Sequence, residues 1–134
     1  MHDLDFEKFV PMLKDLRELF LKYDKLFNAD VLSRLVDMAH LGSSDFVKEL
    51  QSGAIWGSAG SIADTVLLYS AIGSLDERRG DDKELLQLLV CLGDEMEAQG
   101  IATERIRTIT EGFRRTIQKE DTKDVPPGTS SAKA

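Results

Sequence analysis

Apolar residues recur at steps of three and four through the first part of the chain. Between residues 4 and 27, Phe9, Leu13, Leu16, Phe20, Tyr23 and Phe27 form one stripe, widened by Met12, Leu19 and Leu26, which is the spacing of an amphipathic helix facing a core. Pro11 lies inside the stripe and either kinks the helix or marks the first turn of its main part, since it removes an N–H and crowds the preceding turn; a bend near Pro11 is expected. Asn28-Ala29-Asp30 supplies a break and a cap. Leu32, Leu35, Val36 and Ala39 then keep helical spacing until Gly42. Ser43 or Ser44 can cap a short helix through Phe46, Val47 and Leu50 that Gly53 closes.

From Ile62 to Ile72 apolar groups surround most of a helical circumference, which predicts a helix over residues 61–75 in the centre of a bundle. Residues 73–80 read as a polar connection, and Asp81 with Glu84 as the capping box of a fifth helix over residues 85–99 that Gly100 ends. Gly93 inside that helix lowers its propensity and marks close approach by a neighbour. Thr103 can cap a last helix, whose narrower stripe of Ile106, Ile109, Phe113 and Ile117 places it on the outside. Nowhere do Val and Ile alternate with polar residues over a strand's length. The expected fold is all-α: a single-domain bundle of about six helices over residues 1–119, with two central apolar helices, and a disordered C-terminal tail over residues 120–134.

Composition agrees with one water-soluble domain, at 134 residues with 42% apolar and 31% charged. The longest uncharged runs, residues 50–63 and 65–75, are separated by Asp64 and too short to span a bilayer, so no membrane partner is expected. His2, Asp3, Asp5 and Glu7 replace the basic start of a secretory signal, which leads to an expected cytoplasmic location. Cys91 is the single cysteine, which rules out an intrachain disulfide; its apolar neighbours predict a buried thiol. The net charge of −7 disfavours nucleic acid as a partner and suits a basic protein.

The segment with the most local character is Gly53-Ala54-Ile55-Trp56-Gly57-Ser58-Ala59-Gly60-Ser61-Ile62-Ala63-Asp64. Its glycines reach backbone angles closed to other residues, and Ser61 with Asp64 three positions later carries the signature of a capped helix N-terminus. Such a turn can cradle a phosphate or carboxylate with successive N–H groups, so Trp56, Gly57, Ser58, Gly60, Ser61 and Asp64 are the candidate ligand-binding residues. The lysine of a phosphate-binding loop is missing and Asp64 would repel an anion, so a structural turn is the favoured reading. Trp56 is expected to close one end of the core, with an exposed anchor for a partner as the alternative.

Asp37 and His40 share a helical face but lack a second such pair, which makes a solvent-facing histidine the simpler reading and leaves no metal site expected. The acidic Asp94, Glu95 and Glu97, with Asp81, Asp82 and Glu84, lack the spacing of a calcium loop and read as a solvated face. Arg105, Arg107, Arg114, Arg115 and Lys119 are expected to pair with them across an antiparallel hairpin. No catalytic set and no cofactor signature emerges.

The block from Ile55 to Asp64 resembles the glycine-rich turn of a family of small all-helical bacterial proteins without an assigned activity, some of them similar to immunity proteins. The resemblance implies a shared helical fold and carries over no functional residue. The expected function is therefore a non-enzymatic protein-interaction module, immunity-like or adaptor, meeting another protein through an acidic face. The alternative is a small-ligand or anion-binding module, or an enzyme, organised around residues 56–64; homodimerisation suits both.

Overall fold

The computed structural model describes residues 4–123, and every regular element among them is helical. A 3₁₀ turn at Phe6–Lys8 leads into α1 (Val10–Lys22), α2 (Leu26–Leu41), the short α3 (Phe46–Leu50) and the single-turn α4 (Gly53–Trp56). After a long irregular segment come α5 (Leu75–Ala98) and α6 (Glu104–Lys123). The class is all-α as expected, but the helix count differs: five helices of five residues or more plus one isolated turn. No described helix is long and apolar enough to cross a membrane.

Pro11 stands in the first turn of α1, where its missing N–H has no intrahelical partner to lose, so the 3₁₀ turn and α1 replace a single bent helix. The break after α1 falls at Asp24, not at 28–30. Asp24 takes a left-handed φ of 57°, the Lys25 N–H reaches back to the Phe20 carbonyl, and Asn28, Ala29 and Asp30 sit in the opening turns of α2. Gly42 and Gly100, at φ 63° and 76°, close α2 and α5 as expected, each with a following N–H returned to the helix.

The largest correction concerns the helix expected over residues 61–75: residues 61–74 form no helix, and Leu75 is the first residue of α5. Ile62 and Leu67 are completely buried, but Val66 is 51% and Tyr69 85% exposed, whereas a helix would have put Ile62, Val66 and Tyr69 on one face. Local hydroxyls compete for the backbone. Thr65 Oγ1–H donates to the Ser61 carbonyl, Ser61 Oγ accepts from the Asp64 N–H, and Ser70 Oγ accepts from the Ile72 N–H. Tertiary contacts supply the remaining partners, so all-round apolarity signals burial without specifying a helix.

α5 accordingly starts ten residues earlier than the expected fifth helix. Ser74 caps it by accepting the Glu77 N–H, and the supposed polar connection forms its first turns. Asp81 and Glu84 cap nothing. The α1–α2 hairpin and the α5–α6 hairpin pack together chiefly through α1 against α5. Cys91 is exposed, correcting the buried thiol, because it lies on α5 between the inward Val90 and Leu92 and points off the core face.

Gly93 is the close approach the sequence marks: a Cβ there would stand 2.2 Å from Thr110 Oγ1 on α6. Thr110 lies one turn after the core residue Ile106 on the same face of α6 and is itself buried. α6 continues through Lys123, past the expected start of the tail at residue 120; residues 124–134 lie outside the described residues. Gly93→Ala is therefore expected to destabilise the protein by about 1–3 kcal/mol through overpacking, with partial rescue by Thr110→Ala in urea unfolding. Gly80, also inside α5, has open space where a Cβ would stand, and Gly80→Ala should raise stability by about 0.5–1 kcal/mol in the same assay.

Candidate functional site

Trp56 is buried, and its indole N–H donates to the Leu50 carbonyl at 2.9 Å, so the ring closes the core between α3 and α4. The Trp56 carbonyl accepts from Arg105 Nε of α6 at 3.1 Å. Gly57 is irreplaceable for a local reason: a Cβ would lie 2.3 Å from the Gly53 carbonyl oxygen. Ser58 is exposed, and Gly60 adopts φ 87° while its carbonyl accepts from the Asn28 side chain.

Ser61 is buried, with Oγ–H donated to the Gly57 carbonyl and Oγ accepting from Asp64, whose own side chain is exposed. The N–H groups of residues 61 to 64 are all engaged: Ser61 to Ser58, Ile62 to Ala54, Ala63 to Ile55 and Asp64 to Ser61. No helix dipole follows them. The six candidate residues are thus neighbours in one closed turn, with their backbone groups turned largely upon one another.

A different cluster forms where α5 begins. Tyr23, buried at the end of α1, donates its hydroxyl to Asp81 at 2.5 Å, and Lys22 Nζ reaches Asp81 at 2.7 Å and Glu77 at 2.6 Å. Burial raises the Asp81 carboxyl, but the bonds from Lys22 and Tyr23 together outweigh it and hold the group below the usual aspartate range. Burial, followed by the adjacent Asp81 carboxylate, pushes the Tyr23 phenol up to about 12. Lys22 is held above its ordinary value by its bonds to Asp81 and Glu77.

Asp82, the next residue, turns the other way. Its carboxylate accepts from the N–H of Leu67 at 2.6 Å and of Leu68 at 2.9 Å. Arg78 donates to the carbonyls of Leu68 and Gly73 at 2.9 and 2.6 Å. These bonds hold the irregular segment as one wall of a groove of about 570 Å³, whose other parts come from Arg79, Gly80, Lys83 and Leu86 of α5 and Thr116 and Glu120 of α6. Val66 and Leu68 project from the segment wall, and none of the six sequence candidates lines the groove.

His40 is exposed, 3.4 Å from a Glu7 carboxylate oxygen. The acidic and basic stretches pair across α5 and α6 through Glu97 with Arg107 at 2.5 Å, Asp94 with Arg114 at 2.7 Å, and Lys83 with Asp121. Among the described residues no three histidine, cysteine or acidic side chains converge as a metal site. The groove residues were missed because residues 73–80 read as a connection; the Ser74-x-x-Glu77 spacing and Gly80 within a helical run were the available signals.

Comparison of the chain with protein families, curated proteins and solved structures finds no match.

Asp81 has its carboxyl depressed in the folded state, so its contribution is present above the unfolded value near 3.9 and disappears as pH falls through the lower folded value. Asp81→Asn is expected to lower stability by about 1–2 kcal/mol at pH 7 and to flatten the loss of melting temperature between about pH 5 and 2. Asp82→Ala leaves two N–H groups without their acceptor. Hydrogen exchange should then accelerate at Leu67 and Leu68 while the α1–α2 amides keep their protection.

Proposed function

We propose that this chain is a non-enzymatic protein-interaction module of the bacterial cytoplasm, immunity-like or adaptor in kind. The observation that carries the reading is the placement of its exposed large apolar side chains. Leu21, Leu26, Phe27, Val66, Tyr69 and Leu75 all belong to segments gathered at one end of the bundle, whereas Leu41 alone lies at the far end of α2. The bonds from Lys22 and Tyr23 to Asp81, and from Asp82 and Arg78 to residues 67–73, bring these segments together.

Solvent-exposed apolar side chains gathered in this way mark association surfaces. Phe27, 70% exposed, and Tyr69, 85% exposed, are aromatic groups of the sort that anchor interfaces, and neither is needed by the core. The acidic stretch of α5, by contrast, is largely engaged with α6, which shifts the expected contact from a purely acidic face to an apolar end with charged surroundings. The overall charge of −7 still favours a basic partner through long-range attraction.

The test is affinity capture from the native host with the wild-type chain and with a Phe27→Ser/Tyr69→Ser variant whose fold is checked by circular dichroism. A discrete protein retained by the wild type and lost from the variant is the expected result. Identical protein sets on both, or none on either at low salt, would remove the proposal.

A further inference from the structure

The groove beside the apolar end has a composition that specifies more than stickiness. Val66, Leu68 and Leu86 give it an apolar lining, and Gly80 leaves the α5 surface bare where any other residue would project a side chain. Packing does not require that glycine, since nothing lies within 4 Å of the position a Cβ would take, and it remains at a cost in helix propensity. Its effect is to let a second backbone come close to α5.

Charge adds direction. Of the charged residues around the groove, Asp82 is occupied by the Leu67 and Leu68 N–H groups, and Lys83 pairs with Asp121. The side chains of Arg79 on α5 and Glu120 on α6 have no ion pair or hydrogen bond with any described residue. An apolar cleft whose Arg79 and Glu120 side chains, on different walls, have no partner among the described residues matches an occupant that carries both signs.

We infer that the groove receives an amphipathic helical segment of a partner protein, with apolar side chains seated on Val66, Leu68 and Leu86, its backbone close to Gly80, an acidic residue meeting Arg79 and a basic residue meeting Glu120. This rests on the protein-interaction reading and names the site and the kind of segment. Asp82 and Arg78 hold the segment wall in place before an occupant arrives, which lowers the ordering cost of binding.

The full-length chain is panned against a displayed library of random peptides about 12 residues long, roughly three helical turns. Enriched sequences are expected to place apolar residues at helical spacing between an acid and a base. Gly80→Trp should abolish their binding, and Arg79→Glu should weaken it by about tenfold and, on fresh selection, replace the acid with a base. Melting of each variant checks the fold, and if Gly80→Trp unfolds, the Arg79→Glu selection decides.

Failure to enrich any peptide, peptides that bind Gly80→Trp undiminished, or an unchanged charge pattern with Arg79→Glu would each overturn the inference. Amide shifts at Val66 and Leu86 on adding dodecanoate, without peptide enrichment, would reassign the groove to a small amphiphile. A native partner lost from Phe27→Ser/Tyr69→Ser but retained by Gly80→Trp would sink the groove alone and leave the interaction reading standing.

Discussion

Two consecutive carboxylates in the second turn of α5 tie the irregular segment and the end of α1 to one point of the bundle. Asp81 reaches back to Tyr23 and Lys22 at the end of α1, and Asp82 reaches forward to the backbone of Leu67 and Leu68. Neighbouring helical residues point about 100° apart, so one turn can face two different elements at once. Charge-assisted bonds of this kind are stronger than neutral ones, and both carboxylates are partly withdrawn from water. Remove this junction and the α1–α2 hairpin would still pack on α5, but the irregular segment would lose the acceptors that define its path.

That segment explains why a chain with so few elements can build a concave surface. Between Gly57 and Ser74 there is no helical ladder, yet buried backbone groups still require partners. They obtain them from tight local turns, from the Ala54 and Ile55 carbonyls of α4 and Asn28 on α2 at one end, and from Asp82 with Arg78 on α5 at the other. Ile62 and Leu67 anchor the segment in the core while Val66 and Tyr69 are left outside. Long irregular stretches inside small domains are uncommon and tend to carry function, and this one is held as a groove wall by its bonds to α5. Trp56 sets its starting point, joined to α3 through the indole and to α6 through its carbonyl.

The sequence was legible wherever periodicity and termination agreed. The α1 stripe from Phe9 to Tyr23, the Gly42 and Gly100 stops, the Thr103 cap and the Gly93 contact with α6 followed from spacing and backbone geometry, but Leu26 and Phe27, expected to continue that stripe, open α2 and are exposed. It misled where apolarity lacked a period. Residues 61–75 are apolar enough to be buried, but Ser61, Thr65 and Ser70 offer the backbone local alternatives, and the decisive partners lie on α5. Three capping signatures were present at Ser61, Ser74 and Asp81, and only Ser74 opens a helix. The choice rests on which following stretch can run uninterrupted against α1 and α6. The candidate turn is one contiguous stretch and so was visible in the sequence, whereas the groove depends on residues from three separate segments and had no contiguous signature.

The double clasp also has a consequence for how the molecule opens. Because adjacent residues of a single helical turn secure both the end of α1 and the 67–68 backbone, fraying of α5 as far as Asp82 releases two surfaces in one event. The first turns of α5, the irregular segment and the groove are therefore coupled as one local unit, tied to the hydrophobic centre of α1, α2 and the later part of α5 through the buried Ile62 and Leu67. Anything that occupies the groove draws its stabilisation from that unit, so protection gained on binding would spread to the amides of α5's opening turns.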